Sequence, residues 1–112
     1  MDINAALGAF AALSQKTRLE VFRLLIKSGA NGMTAGEIGE DLGVKQNTMS
    51  ANLSVLLQAG LVRNTREGRT IRYYADLSGT QELLTFLVAD CCGGHPELCA
   101  QVIDGIACVE AQ

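Results

Sequence analysis

Residues 34–60 read Thr34-Ala-Gly-Glu37-Ile-Gly-Glu-Asp-Leu42-Gly43-Val44-Lys45-Gln46-Asn47-Thr48-Met49-Ser50-Ala-Asn52-Leu53-Ser-Val-Leu56-Leu57-Gln-Ala59-Gly60. Thr34 followed three residues later by Glu37 is a capping box, which opens a short helix. That helix ends near Leu42, where Gly43 supplies a left-handed exit. Only Val44 and Lys45 then separate it from a second helix, from about Gln46 to Ala59. There Met49, Leu53, Leu56 and Leu57 form an apolar stripe, and Gly60 suits the position after its end. Two helices joined by so short a glycine-containing turn define a helix-turn-helix.

Beyond Gly60 the period changes from 3.6 to 2. Leu61 to Arg66 and Arg69 to Ala75 flank Glu67-Gly68 and read as a β-hairpin, with Ile71, Tyr73 and Ala75 alternating with Arg72 and Tyr74. Upstream, Ile3, Leu7, Phe10 and Leu13 lie on one stripe of a first helix. Ser14 is the expected N-cap of the next helix, whose buried face is expected to carry Leu19, Phe22 and Ile26. Gly29 and Gly32 mark its stop and the turn after it. Residues 80–90 return to helix, with Leu83, Leu84, Phe86, Leu87 and Val88 covering more than one face. The expected class is mainly α with a β-hairpin wing, a winged helix-turn-helix. Both terminal helices carry apolar residues in excess of one small core, so they are expected to pair across a two-fold axis in a homodimer.

The polar side of the second helix of the motif offers Lys45, Gln46, Asn47, Thr48, Ser50 and Asn52. Gln and Asn pair bidentately with adenine, while Lys and hydroxyl groups reach guanine or phosphate. The hairpin carries Arg63, Arg66, Arg69 and Arg72, with Arg66 and Arg69 beside its tip, suited to phosphate or minor-groove contact. Double-stranded DNA is the expected partner.

The 112 residues fit one domain, and 48% hydrophobic with 19% charged residues is a globular composition. No apolar run approaches the roughly 20 residues that span a bilayer. The start has no signal-peptide pattern, so a cytoplasmic protein without membrane association is expected. The net charge of −3 hides a division. Residues 1–75 hold all nine Lys and Arg against six acids, a net of +3; residues 76–112 hold the other six acids and no Lys or Arg, a net of −6. A mildly basic body can bind a polyanion in spite of an acidic end. All four cysteines (Cys91, Cys92, Cys99 and Cys108) fall in the last 22 residues. The expected division is therefore 1–90 for DNA binding and dimerisation and 91–112 for a Cys-containing sensor tail. One His, no phosphate-binding glycine loop and no HExxH argue against an enzyme, and no organic cofactor is expected.

Several segments together resemble the ArsR/SmtB family over roughly residues 10–90. They are Ala12 to Leu19, Glu37-Ile38 to Leu42-Gly-Val44, Leu53 to Val62, and Arg66-Glu-Gly68-Arg69 leading into Arg72-Tyr73-Tyr74. The resemblance implies a dimeric repressor that holds an operator and releases it on binding a metal ion or metalloid. Lys45 stands where the family's recognition helix usually opens with Ser, and Asn52-Leu53 replaces its His-Leu pair. Two of the family's ion sites are absent: residues 37–42 contain no Cys, and residues 80–90 contain no His. What remains is Asp90-Cys91-Cys92-Gly-Gly-His95-Pro96-Glu-Leu-Cys99, similar to arsenite sensors with three cysteines just after the last helix.

The chemistry agrees with that implication. As(III) or Sb(III) takes three thiolates in a pyramid, and soft thiolates select soft ions. Gly93-Gly94 and Pro96 break a helix and let the chain fold back so that Cys99 joins Cys91 and Cys92. The alternatives are a redox or sulfur-species response through a disulfide, and Zn, Cd or Pb bound by Cys91, Cys92, His95 and Cys99. Adjacent cysteines chelate a tetrahedral ion awkwardly. His95 reads as a solvent-facing loop residue. Cys108, among Ile106, Ala107 and Val109, reads as a packing residue.

Overall fold

The computed structural model describes residues 1–88 and Gln101. The chain runs α1 (Ile3–Leu13), α2 (Lys16–Ser28), a 3-10 turn (Gly29–Asn31), β1 (Met33–Thr34), α3 (Ala35–Leu42), α4 (Gln46–Gln58), β2 (Val62–Glu67), β3 (Thr70–Ala75) and α5 (Leu77–Val88). The strands form one antiparallel sheet in the order β1-β3-β2, with Val62 opposite Ala75 and Glu67 opposite Thr70. This is the winged helix-turn-helix expected from the sequence, with β1 as an added third strand on the wing.

The helix-turn-helix forms where local chemistry says it should. The Thr34 hydroxyl accepts from the Glu37 N–H at 3.1 Å, and the Glu37 carboxylate accepts from the Thr34 N–H at 2.9 Å, closing the capping box. Gly43 ends α3 at φ 68°. α3 and α4 then approach closely because Gly39 has no side chain. A Cβ there would lie 2.8 Å from the Val44 carbonyl oxygen and collide with the Gln46 amide.

The core joins Val21 and Leu25 of α2, Ile38 of α3, and Met49, Leu53 and Leu56 of α4 to Leu61, Val62, Ala75 and Leu83. The fully buried residues of α1 are Ala6, Ala9 and Ala12, each at most 2% exposed, and Leu13 packs half-buried against the core. The bulky stripe expected of α1 turns mostly outward, as its apolar excess implies: Ile3, Leu7 and Phe10 are at 63%, 59% and 39% exposure. Alanine leaves α1 free to lie close against α2, α4 and α5, and the bulky stripe is left for another surface. α2 is rotated in the same sense. Val21 and Leu25 are buried, Phe22 is half-buried, and Leu19 and Ile26 are exposed.

Caps account for the remaining differences. Gln15, not Ser14, caps α2, its side-chain oxygen accepting from the Arg18 N–H at 2.8 Å. Ser14 instead closes α1, its hydroxyl donating to the Ala11 carbonyl at 2.9 Å. α5 begins at Leu77, three residues before its expected start, because the Asp76 carboxylate accepts from the Gly79 N–H at 3.0 Å. No helix among the described residues is long and apolar enough to cross a membrane.

Two glycines of α3 separate packing from propensity. Gly39→Ala should lower unfolding stability by about 1–3 kcal/mol, because the added methyl strikes backbone. Gly36→Ala, with only the Thr34 hydroxyl at 3.8 Å, should raise it by about 0.5–1 kcal/mol. Urea unfolding of both variants checks the pair.

Candidate nucleic-acid interface

α4 buries Met49, Leu53 and Leu56 and turns Asn47, Thr48, Ser50, Ala51, Ser54 and Val55 to the outside. Lys45 stands at its N-cap, where an ammonium has no lone pair to accept a helix N–H, and no side-chain capping bond forms. The outer face is uncharged and built from short side chains. Such a face can lie close to base edges in a major groove, with Asn and hydroxyl groups for hydrogen bonds and Ala51 for a thymine methyl. Ala51, Ser54 and Val55 were not among the residues singled out from sequence. Their positions at i+4, i+7 and i+8 from Asn47 were the available signal.

Two of the expected contact residues have other work. Asn52 is 7% exposed. Its Oδ1 accepts from Arg18 Nη1 at 3.3 Å, which removes it from the DNA-facing set. The cause is its place in the helix: beside Leu53, it falls on the side of α4 turned to the core. Gln46 is exposed, but its amide donates to the Ala35 carbonyl at 3.2 Å and ties α4 back to α3. Asn47 Oδ1 accepts from the Thr48 N–H at 2.8 Å, leaving its amide nitrogen outward.

On the wing, the register sorts the arginines. Arg63 pairs with Tyr74 and Thr65 with Arg72, whereas Arg66 pairs with Ile71, so Arg63 and Arg66 stand on opposite faces. Gly68 and Arg69 form the two-residue turn. A positive φ of 65° at Gly68 alone suits a type II′ hairpin. Arg63 lies over the Tyr74 ring, 4.3 Å from its centroid, a cation–π contact. Arg72 is held at the wing root: it donates to Glu67 at 3.0 Å and to the Asn31 and Gly32 carbonyls at 3.3 and 3.4 Å, and it lies 3.6 Å from the Glu37 carboxylate. Lys45, Arg66 and Arg69 are exposed and have no ion pair or side-chain hydrogen bond among the described residues. On α4 and the wing, they are the cations free to meet a phosphate.

Glu37 joins these parts. The hydrogen bond from the Thr34 backbone N–H holds its carboxyl below the ordinary value of 4.5 against the opposing effect of desolvation, helped by the Thr34 side chain and nearby Arg72. The Glu67 carboxylate in turn holds the Arg72 guanidinium more firmly charged. Cys91, Cys92, Cys99, Cys108 and His95 lie outside the described residues, as does the expected boundary at 90–91. Among the described residues, no three His, Cys, Asp or Glu side chains are placed to hold a metal ion.

A family model described as a helix-turn-helix domain matches residues 13–65. The chain is 32% identical over 81 residues to the transcriptional repressor SdpR of Bacillus subtilis (strain 168), covering 72% of this chain and 87% of that protein. It is 35% identical over 89 residues to a Halobacterium salinarum protein named as an arsenical resistance operon repressor, ArsR2, covering 80% and 72%. Among solved structures, an ArsR-like transcriptional regulator from Rhodococcus sp. RHA1 superposes with a TM-score of 0.70 at 28% identity, over 93% of each chain. The homodimeric winged helix-turn-helix DNA-binding domain of Mb0332 from Mycobacterium bovis gives 0.65 at 27% identity, over 83% of this chain and 87% of that one. The fold thus defines a winged helix-turn-helix DNA-binding regulator rather than an enzyme. The chain belongs to the ArsR family of transcriptional repressors.

The arginines should separate by role. Arg66→Ala with Arg69→Ala should leave the thermal midpoint nearly unchanged. It should also weaken DNA binding across sequences and make the salt dependence shallower by about one to two units of log–log slope. Arg72→Ala should instead lower the midpoint. A further outcome follows from Glu37. Its folded carboxyl titrates below its unfolded value, so its contribution to stability is complete above pH 4.5 and is lost as pH falls through the depressed folded value. Glu37→Gln should flatten the acid side of the stability profile, read by thermal unfolding from pH 7 to 3.

Proposed function

We propose that the chain is a cytoplasmic, homodimeric repressor of an arsenic-resistance operon. In this reading it leaves double-stranded operator DNA when As(III) or Sb(III) binds the thiolates of Cys91, Cys92 and Cys99. The observation that carries the DNA half is the outer face of α4, uncharged and short, on a helix whose other side is locked into the core. The dimer is supported by the outward Ile3, Leu7 and Phe10 of α1 and Leu84 and Leu87 of α5, and by the homodimeric Mb0332 domain.

The sensor half is supported by the sequence. Three thiols within nine residues form a donor set that suits a soft trivalent ion, and the Halobacterium relative is named for arsenical resistance. Placed directly after α5 in sequence, the thiols adjoin a helix of the proposed dimer face. An ion held there is thereby coupled to how two protomers sit together. A coupling of about 1–3 kcal/mol weakens operator binding by roughly 5- to 150-fold.

Fluorescence anisotropy of labelled operator, titrated with arsenite under reducing conditions, tests this reading. The parent should release DNA. Cys91→Ser, Cys92→Ser and Cys99→Ser should each bind DNA normally and resist release, and Cys108→Ser should respond like the parent. Release of Cys99→Ser by arsenite at the parent's concentration would contradict the three-thiolate site. Release by Zn(II) or by a thiol oxidant, with arsenite inert, would replace the inducer.

A further inference from the structure

We infer that Arg18 is a positioning residue for DNA recognition: it fixes where α4 stands relative to α1, and therefore how far apart the two recognition helices lie in the dimer. The inference rests on the dimer proposed above.

Arg18 sits in the first turn of α2, half-buried between two other helices. Its Nε donates to the Ala12 carbonyl at 2.7 Å, and its Nη2 to the Ala11 carbonyl at 3.5 Å. Both acceptors belong to the last turn of α1, where the helix dipole favours a cation; the Ala11 carbonyl also accepts from Ser14. Its Nη1 donates to Oδ1 of Asn52, midway along α4, at 3.3 Å. One planar guanidinium thus holds the end of the helix whose outer face carries Ile3, Leu7 and Phe10 and the middle of the helix that faces DNA.

Asn52 is the one polar side chain among the buried residues described. The remaining support of α4 on this side is apolar, through Met49, Leu53 and Leu56. Apolar contact is non-directional and leaves a helix free to slide or rotate by small amounts. The fork of hydrogen bonds is directional and fixes register. A dimer that reads two half-sites needs its recognition helices about 34 Å apart, one turn of DNA. A protomer whose α4 drifts against its α1 reads each half-site less well than a pre-set one.

The test uses the full chain and an operator recovered by selection from random duplexes. Operator affinity, affinity for a scrambled duplex and the penalty for one base pair inserted between half-sites are measured by anisotropy. Sedimentation and thermal unfolding report dimer and fold. Arg18→Gln and Asn52→Leu should each lower the operator-to-scrambled ratio about tenfold or more and shrink the insertion penalty, while scrambled-duplex affinity stays near the parent's. The double variant should lose no more than the worse single one. Asn52→Asp, which keeps an acceptor for the guanidinium, should retain the ratio. Arg18→Lys, with the charge but one donor group in place of the fork, should fold and lose an intermediate share.

An unchanged ratio and insertion penalty in folded, dimeric Arg18→Lys and Asn52→Leu would overturn the inference, as would Asn52→Asp behaving like Asn52→Leu. A monomeric parent would instead strike down the dimer reading, and is seen before any variant is compared.

Discussion

The architecture depends on which face α1 turns inward. With Ala6, Ala9 and Ala12 against the core, the helix lies close to α2, α4 and α5. Its larger residues Ile3, Leu7 and Phe10 are then left in water. Exposed apolar surface forfeits about 25 cal/mol per Å² relative to burial, and contiguous patches of this kind mark interaction surfaces. Leu84 and Leu87 extend the same excess onto α5. The proposed dimer places these residues against their own kind in a second copy, and so supplies the two reading heads that a two-fold operator requires.

Within one protomer the polar side chains divide into those used for structure and those left for DNA. Gln46 ties α4 to α3, Asn52 and Arg18 tie α4 to α1, and Arg72 ties the wing root to Glu37, Glu67 and the turn before β1. Lys45, Arg66 and Arg69 remain uncommitted among the described residues. Helix and wing are thereby fixed in one frame, which spares binding the entropy of ordering them.

The helix-turn-helix was legible in the sequence because its signals are local. The Thr34–Glu37 box, the Gly43 exit and the Leu53–Leu56 stripe each act within four residues, and tertiary packing agrees with them. The apolar excess of α1 was legible too, and it lies outward on Ile3, Leu7 and Phe10; that alanine forms the packed side follows from the close approach to α2, α4 and α5, which no local signal shows. The burial of Asn52 was not legible, because polarity alone points to exposure and its partner Arg18 is 34 residues away in sequence. The two residues of β1 are too few to show a period, and Asp76, with Ser78-Gly79-Thr80 after it, stands apart from the apolar run that signals α5. Of the residues expected to contact DNA, Lys45, Asn47, Thr48, Ser50, Arg66 and Arg69 are exposed. The thiol segment is read from sequence chemistry alone.

The most direct measurement is sedimentation equilibrium at micromolar concentration on the parent and on Leu7→Asp. That substitution is at an exposed position, so the variant's fold can be verified by thermal unfolding. If the outward face of α1 is the dimer surface, the parent is dimeric and Leu7→Asp is a folded monomer with weakened operator binding. A monomeric parent, or a Leu7→Asp variant that dimerises as tightly as the parent, would contradict it.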